Sequence, residues 1–287
     1  MDYVKPAEVL ETMIETGTSK ANLNAFQLLI RAILGGAILA FATTLAFTAV
    51  TQTSIGLTGA IIFPVGFVII VLLGLELVTG SFALIPLSVL ERKTSLGRML
   101  ANYGWVIIGH LIGCALYAIL YDLTVTKMGT DMQNPLAKML IQVSEAKTLG
   151  YKKLGFDGMV LVFIKAILCN WMVTLGVVMA MTSKSTSGKI LAMWLPVLTF
   201  FAQGFEHAVV NMFVIPAGML LGAIVTMSDW WLWNQIPVLV GNLVGGALFT
   251  GILFYFSQKT FKRSAAAHVH TGAKDVLTPV PAERRGL

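Results

Sequence analysis

Charge is what this chain has least of. Only 12% of its 287 residues are Asp, Glu, Lys or Arg, about half the roughly 25% of a soluble domain. Cysteine is scarce too. Cys114 and Cys169 both fall inside apolar runs, which excludes a disulfide framework and a multi-cysteine metal site. There are four histidines and no Ser/His/Asp or zinc-ligand spacing at membrane depth, so nothing here reads as an enzyme, and no cofactor or metal is implied. The half-helix signature Asn-Pro-Ala of water channels is missing. So is a cleavable leader: the first 25 residues carry Asp2, Lys5, Glu8, Glu11, Glu15 and Lys20 with no continuous apolar core. That segment reads as an amphipathic helix on a membrane surface.

What the chain has in excess is apolar length. With 56% hydrophobic residues, it is expected to be an all-α integral membrane protein. At about 20 apolar residues per crossing, six spans are read: 25–50, 59–90, 99–121, 159–181, 190–223 and 236–257. Basic residues cluster in the connections around Arg92–Arg98 and Lys184–Lys189 and after Lys259, whereas 51–58 and 225–235 have none. The bias puts both termini in the cytoplasm of a multi-pass inner (cytoplasmic) membrane protein. Residues 122–157, with five lysines, are read as a long outer segment whose lysines gather anions or form a solvated face. Residues 1–258 are assigned to the membrane domain and 259–287 to a basic, disordered cytoplasmic tail. The net charge of +6 lies largely in that tail and suits an anionic leaflet rather than nucleic acid.

Two of the spans carry charge at depth. Gly204-Phe205-Glu206-His207-Ala208-Val209-Val210-Asn211 sits inside the fifth. An ionisable residue there costs about 2.5–3.5 kcal/mol on insertion and marks function by default. Pro216 removes a backbone donor further on. The segment reads as a broken helix lining a polar cavity, with its break near Glu206–Asn211. The second span is read the same way near Glu76–Ser81.

These breaks belong to an internal repeat. Ile30-Arg31-Ala32-Ile33-Leu34 returns as Ile164-Lys165-Ala166-Ile167-Leu168. Gly74-x-Glu76 followed by Ile85-Pro86 returns as Gly204-x-Glu206 followed by Ile215-Pro216. Gly109-His110-Leu111 returns as Gly241-Asn242-Leu243. Arg31 and Lys165 are 134 residues apart, Glu76 and Glu206 130, and His110 and Asn242 132. Each copy, 27–121 and 159–257, has three spans, and an odd number inserts the second copy upside down. Inverted repeats with matching broken helices are a transporter signature, with the pathway at the midplane.

Basic and acidic residues at depth are expected to pair, because unpaired buried charge is costly. Arg31, Glu76, Lys165 and Glu206 are therefore assigned to charge support. Thr79, Asn170, His207 and Asn211 remain for the pore, and of these only the imidazole titrates near neutral pH. Phe63, Phe67, Phe200, Phe201 and Phe205 bracket the breaks as candidate apolar gates.

Three stretches resemble a known family. Phe163-x-Lys165-Ala166-Ile167-Leu168-Cys169-Asn170-Trp171-Met172-Val173 is similar to the fourth-helix signature of the formate/nitrite transporter family. Gly204-Phe205-Glu206-His207-Ala208-x-x-Asn211-Met212 resembles its fifth-helix signature, and Glu76-Leu77-x-Thr79-Gly80 its second-helix loop. Met172 and Thr174 stand where many members have Leu and Cys. The resemblance runs from about Pro6 to Phe256. It implies an aquaporin-like six-helix protomer, helices two and five interrupted, with its own pore in a homopentamer. It implies small monovalent anions as substrates: formate, nitrite or hydrosulfide. It makes His207 the central pore histidine, with Thr79 and Asn170 beside it. Phe63, Phe67, Leu77 and Phe200 fall at the constrictions, and a vestibule lysine corresponds to Lys152 or Lys153.

The expected mechanism passes the anion with a proton supplied through His207, which acts as proton donor and acceptor. A neutral-solute channel is the alternative within transport. A bis-histidine haem on His110 and His207 is the alternative outside it, and the repeat argues against that, since it matches His110 with Asn242.

Overall fold

A computed structural model describes residues 2–259; positions 260–287, and so almost all of the basic tail, lie outside the described residues. In chain order the helices are α1 (Pro6–Ala21), α2 (Ala25–Thr53), α3 (Gly56–Ile62), α4 (Pro64–Leu72), α5 (Val78–Leu90), α6 (Leu96–Val125), α7 (Pro135–Lys153), α8 (Phe156–Ala180), α9 (Thr186–Ala202), α10 (Ala208–Leu220) and α11 (Met227–Lys259). Four of them, α2, α6, α8 and α11, have 25 to 33 residues and the apolar content to cross a bilayer unaided. The second span is shared by α3, α4 and α5, and the fifth by α9 and α10.

Polar residues start the helices where the apolar runs begin. Asn24 and Gln27 form a reciprocal capping box at the head of α2, and Thr226 and Asp229 form one at the head of α11. Ser95 and Ser185 cap α6 and α9 with their hydroxyls. Each such cap satisfies a backbone donor the helix leaves open, worth about 1 kcal/mol.

Glycine makes both breaks. Gly74 and Gly204 each adopt φ +63°, a left-handed conformation that only glycine takes without cost. At the first, Gly74 N–H donates to Val71 O (3.2 Å) and Leu75 N–H to Ile70 O (3.0 Å). At the second, Gly204 N–H donates to Phe201 O (3.0 Å) and Phe205 N–H to Phe200 O (3.2 Å). This is the Schellman closure of a helix C-terminus, made twice at equivalent places. The helices resume at Val78 and Ala208. The breaks therefore begin a few residues earlier than expected. Pro216 takes no part in its break: it lies inside the continuous α10, as Pro86 lies inside α5.

Small residues let the long helices approach closely. A Cβ on Gly113 of α6 would lie 2.0 Å from Ile33 O of α2, and one on Gly245 of α11 would lie 2.3 Å from Ile167 O of α8. Gly113 and Gly245, each four residues after Gly109 and Gly241, are thus used within the protomer, α6 on α2 and α11 on α8.

The duplication also reaches further than the sequence matches. Residues 122–157, expected as an outer loop, contain α7, which packs on α10 as α1 packs on α5. The buried face of α1 is Val9, Leu10, Met13 and Ile14, at helical spacing, and Ser88 of α5 donates to Ile14 O (2.7 Å). Each repeat is an amphipathic helix followed by three spans.

Candidate functional site

The two breaks meet. Thr79 Oγ1, in the first turn of α5, lies 3.3 Å from His207 Nε2 at the head of α10, and both side chains are buried. The ring is oriented by its own helix. His207 Nδ1 accepts N–H bonds from Val209 (3.2 Å) and Val210 (3.3 Å), as a side-chain cap does. An acceptor at Nδ1 places the proton of the neutral ring on Nε2, facing Thr79. Phe200 stacks on the imidazole with centroids 5.7 Å apart. Phe63 stands behind, edge-on to Phe200 (5.7 Å) and stacked on Phe201 (4.1 Å).

Asn170 of α8 ties the first turn of α5 to α11. Its Nδ2 donates to Thr79 O (3.1 Å) and Asn242 O (2.6 Å). Its Oδ1 is buried with no protein partner, so it is available to a donor arriving at the site. On the α1 side a cavity of about 820 Å³ leads towards the centre, walled by Phe67, Leu77, Gly80, Lys20 and Arg31.

Glu76 and Glu206 are paired, but not with Arg31 and Lys165. Lys20 Nζ of α1 lies 2.8 Å from Glu76 Oε2, and Lys147 Nζ of α7 lies 2.8 Å from Glu206 Oε2. The glutamates are 1% and 2% exposed and both lysines 18%. Arg31 instead reaches Gly74 O at 3.5 Å, and Lys165 reaches the Tyr151 hydroxyl at 3.4 Å. Arg31 and Lys165 sit beside their breaks without neutralising them, because helices the sequence reading left outside the repeat supply the cations.

Asn211 is also placed differently. Its Nδ2 donates to Glu206 Oε2 (2.7 Å) and Asn234 Oδ1 (2.8 Å), so it completes the Glu206 carboxylate site rather than joining Thr79 at the ring. Ser81 is its counterpart, donating to Glu76 Oε2 at 3.4 Å. Tyr151 adds a hydroxyl to Glu206 Oε1 at 2.7 Å. Lys152 pairs with Asp229 at 2.7 Å and Lys153 is exposed. The lysine of the Glu206 cluster is Lys147.

Lys20, Lys147, Tyr151 and Asn234 were missed from sequence. A signal existed: α1 and α7 both begin with a proline, Pro6 and Pro135, and carry a lysine late in the helix. The match between them is too weak to be seen without the packing.

His110 and Asn242 occupy equivalent places. His110 Nε2 accepts from Val78 N–H (3.1 Å) and its Nδ1 faces Ala32 O (2.9 Å). Asn242 Oδ1 accepts from Ala208 N–H (2.8 Å), and its Nδ2 donates to Ala166 O (2.8 Å) and Glu206 O (2.9 Å). Backbone groups engage both nitrogens of His110, which leaves neither for a haem iron.

Outside the membrane spans, the N-terminal segment is latched to the start of α9. The Asp2 carboxylate accepts from Ser183 Oγ (2.8 Å), Ser185 Oγ (2.9 Å) and Lys184 N–H (2.9 Å). The two serine hydroxyls hold its pKa below the ordinary carboxylate value.

The family model of formate/nitrite transporters matches residues 7–256. The uncharacterized transporter YrhG of Bacillus subtilis (strain 168) is 34% identical over 271 residues, 92% of this chain and 97% of that one. A probable formate transporter of Methanothermobacter thermautotrophicus is 37% identical over 205 residues, 68% of this chain and 73% of that one. Among solved structures, a pentameric formate channel with formate bound superposes with a TM-score of 0.64 at 25% identity, covering 81% of this chain and 96% of that one. The doubled, twice-broken helical fold and the match across almost all of its described length make this chain a member of the formate/nitrite transporter family.

Proposed function

We propose that each protomer passes formate, and with it other small monovalent anions of weak acids such as nitrite, through its own pore in a homopentamer of the inner membrane. Both termini face the cytoplasm, so the cavity beside α1 is the cytoplasmic vestibule and α7 lines the outer one. The observation that carries the reading is the contact of His207 Nε2 with Thr79 where the two breaks meet. A bare anion is costly between Leu77 and Phe200, since apolar surroundings replace none of its hydration. An N–H aimed into that stretch offsets part of the cost. A proton on the anion removes most of it.

The geometry sets a condition on how His207 handles protons. Nδ1 is occupied by two backbone N–H groups, so the proton exchanged with the anion is the one on Nε2. A doubly protonated ring first releases its cap on α10. The anion accepts a hydrogen bond from Nε2–H of that cation, takes its proton and crosses as the neutral acid, losing the proton on the far side. The ring, left neutral, recovers its cap on α10 and is reprotonated from solvent. Arg31 and Lys165, which hold Gly74 O and the Tyr151 hydroxyl rather than the glutamates, draw anions towards the two breaks. Hydrosulfide fits the same chemistry, whereas glycerol has no use for a titratable donor.

The test is flux into proteoliposomes between pH 5 and 8, with formate, nitrite and glycerol, for the wild type and His207→Asn. Asparagine is among the best helix caps, so its Oδ1 takes over from Nδ1 and the variant folds, while Nε2–H is gone. The expected result is formate over glycerol for the wild type and, in the variant, loss of most pH-dependent formate flux with weaker discrimination among ions. Wild-type rates with an unchanged pH profile in the variant would falsify the role given to His207.

A further inference from the structure

We propose that His110 is a positioning residue for the inner constriction, holding the first break in register as Asn242 holds the second. This rests on the pore reading above. Val78 N–H is the first free donor of α5, and an unpaired donor in this apolar interior is destabilising. His110 Nε2 takes that bond at 3.1 Å. Leu77, Val78 and Thr79 are consecutive, so one bond sets where the constriction residue and the hydroxyl facing His207 both lie. The other end of the ring is anchored at Ala32 O (2.9 Å), in the helix that the small face of α6 packs against. His110 therefore fixes α5 relative to the α2–α6 pair.

The repeat shows which property matters. Ala32 and Ala166, Val78 and Ala208, and His110 and Asn242 are equivalent triplets. In both halves, one side chain on the third span accepts from the first N–H of the half-helix and bonds the same carbonyl of the first span. Asparagine does this without titrating, so the shared function is an acceptor at the right depth, not an imidazole. The two differ in reach. Nε2 lies one atom further from the backbone than an asparagine oxygen, and a glutamine oxygen reaches it.

Three variants separate these properties: His110→Gln keeps the acceptor at the depth of Nε2, His110→Asn keeps only the near partner at Ala32 O, and His110→Leu keeps neither. Each is purified, checked for its native oligomer and reconstituted, and formate flux is compared with leak of chloride. His110→Gln is expected to stay within about threefold of wild type in flux and in the formate-to-chloride ratio. His110→Asn and His110→Leu are expected to lose that ratio by about tenfold or more, the change made by roughly 1.4 kcal/mol. If His110→Gln fails to assemble, or falls with the leucine variant, the imidazole itself is needed and the proposal fails. It fails equally if an assembled leucine or asparagine variant keeps wild-type selectivity. A wild type without formate flux would instead count against the pore reading.

Discussion

Glutamine at position 206 keeps the outline of the glutamate and removes its charge. Four donors converge on the two oxygens of Glu206: Lys147 Nζ at 2.8 Å, Tyr151 OH at 2.7 Å, Asn211 Nδ2 at 2.7 Å and Asn234 Nδ2 at 3.4 Å. An amide has one oxygen for these four donors and points its own N–H₂ at those the oxygen cannot serve. Removing one partner of a buried ion pair costs roughly 3–5 kcal/mol. Lys147 keeps 18% exposure and so recovers some hydration, which places Glu206→Gln at the lower end, about 3 kcal/mol, or on the order of a hundredfold in the folding equilibrium. Unfolding from detergent is irreversible, so the measurement is the half-life of the native oligomer on heating, followed by size-exclusion chromatography. The decisive companion is Lys147→Met with Glu206→Gln. Removing both partners is close to neutral where removing one is not, so the double variant should regain at least half of the loss. If it is as short-lived as Glu206→Gln alone, the carboxylate is not there to balance Lys147, and the reasoning collapses. Glu76 with Lys20 should behave alike.

Three further outcomes follow from the same geometry. Lys152→Ala should alter formate flux by less than about threefold, since Lys152 is half exposed and water screens its pair with the buried Asp229. Lys147→Ala should lower it by at least about tenfold, because Glu206 is left buried without its cation, and equal effects would dissolve that distinction. Gly113→Leu and Gly245→Leu should abolish folding of the protomer itself; recovery of folded monomers would mean that those glycines serve the oligomer instead. Asp2 has its pKa lowered on folding, so its contribution is complete above the ordinary carboxylate pKa and is lost as pH falls through the lowered value. Hydrogen-exchange protection at Val4, which donates to Thr182 O, should therefore hold from pH 8 to 5 and fall in acid. Asp2→Asn should lower it between pH 8 and 5 and converge with the wild type in acid, and protection that ignores both changes speaks against the latch.

Apolar length placed the spans, because a bilayer imposes the same requirement wherever the chain folds. The duplication was readable because the three fragments of each copy occur in order at nearly constant spacing. Charge at membrane depth, Glu76 in one span and Glu206 with His207 in the other, announced both broken helices, and the resemblance drew Thr79 and Asn170 to His207. These are local or periodic signals. The partners of the charges are neither. Arg31 and Lys165 were the cations at depth in the repeat, yet Glu76 and Glu206 take Lys20 and Lys147 from α1 and α7, 56 and 59 residues away along the chain. Asn211 stands one helical turn from His207 but turns to Glu206, since a carboxylate binds an amide more strongly than a neutral ring does. Spacing along one helix says which side chains share a face. Which charge meets which depends on how separate helices pack, and that was settled only when the amphipathic helices closed over the two ends of the pore.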